Sequence, residues 1–493
     1  VRLRPALVPA VCATVAAVLW GLVGPVPAQA TPESRPAAAR ALAGARAALS
    51  GATHRDVTLA LRDLRRHRDE LSSADRAGAD RLLTRPSATH AKCFTLVCVH
   101  WSTTGTGKAS SAYVEQVAKT AEHVLATYVA AGYRAPESDG LRGGSGLLDI
   151  YLQDLGGRGL YGYCDTDVPP PADGPNDAWA YCAFDNDYAE FPTHSPLANL
   201  QVTAAHELFH AVQFAYDYYE DAWFMEATAT WAEDEVYDDV DDNLQYLAES
   251  PLAQPAKPMD HFESVGMRQY GDWIFFRYLT ENLGGRKGGL PTLMRELWER
   301  VDGSKGAPDD YSIAAVDHVL KERGTTLRDV WAAFGDANRR PGRTYDEGAA
   351  NAYPVARPAA TVALSADRLD SAWTTRRVDH LASATIRITR DPATARRHLR
   401  VRLDLPATRR GSGAVVTVYR TEGRPVTTPV ALSRDGDASV RLAFGRDVRY
   451  AEVTLANAGV AYKCWRAVDT GYSCRGRSED DDLPMRFRAT ALR

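Results

Sequence analysis

The sequence predicts an α+β fold, with a mixed sheet over a pair of central helices, a mostly helical lower half, and a C-terminal β-sandwich. Three observations support this. Val202, Ala205, Leu208, Phe209 and Val212 recur at helical spacing over 203–216, as do Val114, Val117, Ala121, Val124 and Leu125 over 112–131. Aromatic-rich helical patterns follow at 268–279, then at 290–301, 313–323 and 327–339. Beyond 361 the pattern changes to short alternating runs, at 385–388, 399–405, 415–419, 440–444 and 448–455, separated by Gly, Pro and Asp-Gly turns.

In chain order, residues 1–30 read as a secretory signal peptide: Arg2 and Arg4, an apolar centre over 6–23, then Ala28-Gln29-Ala30. Pro9, Pro25 and Pro27 argue against a membrane helix here, and no later stretch is long and apolar enough to span a bilayer. The expectation is a secreted, extracellular protein without stable membrane association. Residues 31–92 are Ala- and Arg-rich, with amphipathic helices at 37–49, 58–71 and 73–83. They are either a propeptide or a helical extension packed on the next domain. That domain spans 93–352, and the sandwich spans 358–493.

The net charge is −5, and the basic clusters Arg65-Arg66-His67-Arg68 and 76–85 read as helix faces. Nucleic acid is not an expected partner, and the oligomeric state stays open. Once Cys12 leaves with the signal, Cys93, Cys98, Cys164, Cys182, Cys464 and Cys474 remain. An even count in an exported chain points to disulfides, and proximity favours 93–98, 164–182 and 464–474.

Strand character is expected at 94–101 and 147–155. The Pro- and Asp-rich run at 165–176 reads as a loop. Asp185-Asn186-Asp187 could hold Ca²⁺, although such triplets more often make Asx turns. The seven carboxylates between Glu233 and Asp242 are a second calcium candidate, competing with a solvated helix end.

The segment that carries chemistry is His206-Glu207-Leu208-Phe209-His210. Histidines four apart on a helix share one face about one turn apart, the spacing that lets two imidazoles reach one zinc ion. Glu207 is then placed to act as general base on a water rather than as a ligand. A zinc site needs a third protein ligand. Glu226 is the candidate, because fifteen intervening residues suit a turn between packed helices; Glu233 competes. The alternative is a pair of packed histidines beside a solvated Glu.

With Trp223-Phe224-Met225-Glu226, Trp231-Ala232-Glu233 and Tyr270-Gly271-Asp272-Trp273-Ile274-Phe275-Phe276, the chain resembles the gluzincins, including thermolysin-like and hyicolysin-like secreted bacterial metallopeptidases. The resemblance covers about 93–350 and is strong over 200–280. It implies a zincin-like fold, His206, His210 and Glu226 as zinc ligands, and Glu207 as general base. It also implies a cleft strand within 147–163 that pairs with extended substrate. Tyr270 would be the oxyanion donor, with His261 a weaker choice. Where thermolysin-like enzymes carry an Asp supporting a histidine, this chain has Thr230, so Glu233 or Asp217 would orient an imidazole.

The expected function is a secreted zinc endopeptidase acting on protein or peptide substrates. A zinc-containing binding or adhesion protein, or a zinc hydrolase of a non-peptide amide, is the alternative.

Overall fold

The computed structural model describes residues 34–493, except 54–55, 172–173, 264, 392–393, 395–396 and 465–469. The expected leader, 1–30, lies outside the described residues. Helices α1 (Ser34–Leu49), α2 (Val57–His67) and α3 (Ser73–Leu82) form the N-terminal layer. Asp56 caps α2 by accepting the Leu59 N–H at 3.1 Å, and Ser72 caps α3 by accepting that of Asp75 at 3.2 Å.

A five-stranded sheet follows, with spatial order β1 (His90–Cys93), β2 (Val97–Trp101), β3 (Leu148–Gln153), β5 (Tyr181–Asp185) and β4 (Gly162–Asp165). Strands β2, β3 and β5 run parallel, and β1 and β4 are antiparallel edges. The two-residue period sorts its side chains. Leu148, Ile150 and Leu152 face the core shared with α4 (Ser111–Ala131) and α5 (Pro196–Phe214). Tyr151, Tyr163 and Tyr181 face the other way, onto Leu61 and Leu64 of α2. The N-terminal segment therefore packs as a full layer on the second face of the sheet.

The range 147–163, expected to hold a cleft strand, spans β3 and the first two residues of β4. Strand β3 is hydrogen-bonded on both sides and cannot accept a further strand, whereas β4 is the edge. Alternation reports which faces a strand buries, not which neighbours it pairs with. Disulfides 93–98, 164–182 and 464–474 match the proximity expectation; the second ties β4 to β5.

The lower half comprises α6 (Ala222–Val236), α7 (Arg268–Gly271), α8 (Trp273–Asn282), α9 (Thr292–Arg300), α10 (Ile313–Glu322), α11 (Leu327–Ala337) and α12 (Pro341–Thr344). The single helix expected over 268–279 is two, joined at Asp272, whose carboxylate sits 3.2 Å from buried Arg268.

Beyond 358 two sheets face each other across an apolar core that includes Ile386, Val401, Val416, Val453 and Phe487. The outer face of the five-stranded sheet rests on α11. Gly413 permits that approach, since a Cβ there would stand 2.7 Å from the Arg328 carbonyl oxygen. Thr417 donates to Asp336 at 2.6 Å, and buried Glu452 pairs with Arg339 and Arg387.

A second junction is His380, 1 % exposed, whose Nε2 lies 3.0 Å from Asp260 and whose Nδ1 lies 2.8 Å from Asp481. Burial opposes its charge, but hydrogen bonds to the two carboxylates outweigh this and hold its pKa at about 9. Asp481 is correspondingly depressed to about 2. A raised histidine pKa contributes stability that is complete below about 6.5 and lost as pH rises through about 9. His380→Ala should cost about 3–5 kcal/mol at pH 6, since Asp260 stays buried without its cation. The deficit relative to wild type should shrink by pH 9.5 in urea denaturation.

Candidate metal centre

Helix α5 begins at Pro196, seven residues before the sequence expectation, with Ser195 capping it through the Ala198 N–H at 3.2 Å. The added turns bury Leu200 and Asn199 against the domain and fix the helix beneath β4 and β5. Helix α6 packs against α5 and carries Glu226 and Glu233 on its site-facing side. Every residue of α5 from Val202 onward is buried, so the site histidines stand in a dry helix interface rather than on a surface.

His206 Nε2 lies 3.3 Å from Glu226 Oε2, and His210 Nε2 lies 3.6 Å from Glu226 Oε1. Donors on a tetrahedral ion with 2.0–2.1 Å bonds stand about 3.3–3.4 Å apart. His210 and Glu226 are both 0 % exposed, and His210 Nε2 and both Glu226 oxygens lack any hydrogen-bond partner. Such orphaned buried polar atoms are costly unless something between them satisfies all at once. With Asp56, these side chains bring one ligand atom each within 4.8 Å of one another. The group could hold a metal ion, and its donors fit one.

The outward nitrogens fix the tautomers. His206 Nδ1 lies 2.6 Å from Glu233 Oε1, and a carboxylate accepts, so this nitrogen carries the proton. His210 Nδ1 lies 2.7 Å from Gln213 Oε1. The Gln213 amide is oriented by its Nε2, which donates to the Met225 carbonyl at 2.9 Å and to Thr228 Oγ1 at 3.1 Å. Its oxygen must then accept from His210. Both Nε2 atoms consequently face Glu226.

Burial pushes the Glu226 carboxyl up to about 8 and that of Glu233 to about 7, against the opposing pull of His206. Burial, then the charge of His206, drives His210 well below its ordinary value, toward the neutral form a metal requires.

Asp217 does not reach a site histidine. Its carboxylate accepts from the Tyr219 N–H at 2.7 Å and from Asn176 at 3.3 Å, so of the two expected supports only Glu233 serves. Glu233 is likewise not the third ligand, because its bond goes to the outward nitrogen of His206. The run from Glu233 to Asp242 is no solvated end at its start: Asp234 is buried and pairs with Arg277 at 2.6 Å. In the triplet at 185–187, Asp185 accepts four backbone N–H groups, from Leu155, Gly156, Asp187 and Tyr188. It anchors a turn and a loop, and with Asp187 and Glu190 it brings ligand atoms within 4.8 Å of one another, so the group could also hold a cation.

Glu207 sits beside the donor group and is 4 % exposed. Gly162 of the edge strand lets it stand there, since a Cβ would fall 3.1 Å from Glu207 Cγ and 2.9 Å from Thr203 Cγ2. A cavity of about 400 Å³ opens onto His206 and Glu207, bounded by Gly162, Tyr246 and Tyr270. The Tyr270 ring stacks on Tyr246 at 5.0 Å and lies 6.1 Å from the His206 ring. His261 is elsewhere. It lines a separate cavity of about 550 Å³ and packs on Tyr472, so it cannot serve this site.

The sequence reading missed Asp56, Thr58, Gln213 and Tyr246. Gln213 carried a signal, lying one turn beyond His210 on the same helix. Asp56 carried none, being 150 residues from His206 in the chain.

Glu233→Gln should weaken divalent-metal affinity about 10–100-fold, as loss of a partner to a ligating imidazole does. Asp217→Asn should leave it unchanged, in competition with a chromogenic chelator. No protein-family profile matches this chain, and no characterised protein matches it in sequence.

Proposed function

We propose that this protein is a secreted, single-zinc endopeptidase of the gluzincin type, with residues 93–352 as a zincin-like catalytic domain. The observation that carries this reading is the convergence of His206 Nε2, His210 Nε2 and the Glu226 carboxylate in a buried space where His210 Nε2 and both Glu226 oxygens lack a hydrogen-bond partner. Two imidazoles and one carboxylate favour zinc over the oxygen-seeking cations. Thr230 departs from the thermolysin-like pattern, and Glu233 supplies the histidine support from one turn further along the helix. Three disulfides fit an oxidising compartment, and no described helix is long and apolar enough to cross a membrane.

Zinc held by His206, His210 and Glu226 would polarise the scissile carbonyl and lower the pKa of the attacking water toward 7. Glu207 accepts that water's proton and passes it to the nitrogen of the leaving amine. Its carboxyl is shifted well upward by burial, then by neighbouring carboxylates, which suits a group that must both take and give a proton. The Tyr270 phenol is kept protonated by burial first, then by the carboxylate of Glu226, and donates to the oxyanion. An extended substrate adds to the outer edge of β4, whose main-chain groups are indifferent to side-chain sequence.

The test is zinc content measured beside cleavage of casein and a fluorogenic peptide. Wild type should hold about one zinc per chain, and Glu207→Gln should keep the metal while cleavage falls at least ~100-fold. Tyr270→Phe should lower kcat about 100-fold with little change in zinc content. Zinc in the protein with equal, negligible cleavage by wild type, Glu207→Gln and the variants below would favour a zinc-containing binding protein instead.

A further inference from the structure

Three places that a peptide substrate must use are already taken by one short piece of this chain. Residues 56–58 enter the cleft where α1 hands over to α2. A carboxylate oxygen of Asp56 lies within 4.8 Å of the donor atoms of His206, His210 and Glu226, and a three-ligand zinc peptidase keeps its fourth position open. The Thr58 hydroxyl donates to Glu207 Oε2 at 3.3 Å, engaging the general base. The same hydroxyl accepts the Cys164 N–H at 3.0 Å, occupying the edge of β4 where an extended substrate would bind.

Helix capping alone does not account for an aspartate here. The Asp56 carboxylate accepts the Leu59 N–H through Oδ1 and is also bonded by Thr58, but Ser or Asn would cap the helix as well. A third carboxylate facing buried Glu207 and Glu226 is repelled by both unless a cation lies between them. The segment is held by side chains beyond the cleft. Arg62 donates to the Glu220 carbonyl at 2.6 Å, and Arg65 makes a two-pronged pair with Asp165 at 2.7 and 2.6 Å. Leu61 and Leu64 pack with Tyr163 and Tyr181 of the sheet.

We propose that Asp56 is a fourth ligand of the metal centre and that residues 56–58 form an internal latch, which keeps the enzyme latent until α2 moves off the cleft. This rests on the metallopeptidase reading above. The latch closes the metal, the base and the edge strand together, so displacing one helix opens all three. It breaks no covalent bond.

The full chain, loaded with one equivalent of Co²⁺, provides a readout that does not need turnover. Asp56→Asn preserves the helix cap but replaces the carboxylate with a poor ligand. It should bind one cobalt, show an altered visible spectrum, and bind acetohydroxamate at least ~10-fold tighter than wild type. Peptide cleavage by the zinc form should rise at least ~10-fold, and Glu207→Gln in the same chain should abolish the gain. Asp56→Ser, which also caps, repeats the test should the Asn variant fail to fold.

Equal hydroxamate affinity and equal spectra for wild type and Asp56→Asn would overturn the latch while leaving the metal centre intact. No cobalt bound by wild type, nor any difference on Glu226→Gln, would overturn the metallopeptidase reading and the latch with it.

Discussion

The structure turns on the burial of Glu226. A carboxylate with no exposure and no hydrogen-bond donor, facing the equally unpartnered Nε2 of His210, costs several kcal/mol unless a cation joins them. Much of the surrounding architecture keeps that arrangement rigid. Helices α5 and α6 pack along their length, Gln213 ties His210 to the backbone of α6, and Glu233 ties His206 to the same helix. Both imidazoles are thus oriented by groups on α6 or bonded to it, so ligands and supports move as one body.

Around this pair the layers have distinct work. The sheet presents β4 beside Glu207, with glycine at 162 because a Cβ there would crowd Thr203 and Glu207. The aromatic lower half, with Trp223, Trp231, Trp273 and Trp298 fully buried, fills the volume behind α6 and resists its displacement. The C-terminal sandwich is joined to that half by α11 and by the His380 junction, so it braces the helices that carry the site. The N-terminal layer stands apart in kind. It covers the outer face of the sheet and reaches into the cleft, contributing polar groups rather than bulk.

The basic clusters of the N-terminal layer show why charge runs mislead when read alone. Arg65 pairs with Asp165, Arg68 with Asp80, and Arg85 with Asp149. Arg65 and Arg85 tie the layer to carboxylates of β4 and β3, Arg68 ties the end of α2 to α3, and the partners lie from 12 to 100 residues away. Nothing in local sequence distinguishes an arginine with a distant carboxylate from one facing solvent.

What the sequence determined by itself is whatever depends on short separations. Helical spacing placed His206 and His210 on one face with Glu207 beside them, and alternation exposed most strands of the sandwich. The disulfides followed from proximity, since their partners are at most 18 residues apart. Strand Leu483–Leu492 went unread, although Leu483, Met485, Phe487, Ala489 and Ala491 alternate strictly, because Pro484 and two arginines obscure the pattern. Tertiary structure decided the rest: which strand is an edge, whether Glu233 or Asp217 supports a histidine, and that His261 belongs to another cavity. It alone brought Asp56 to the metal centre. Periodicity encodes the faces of single elements, whereas edges, partners and a fourth donor arise from how elements meet, and that depends on the whole packed core.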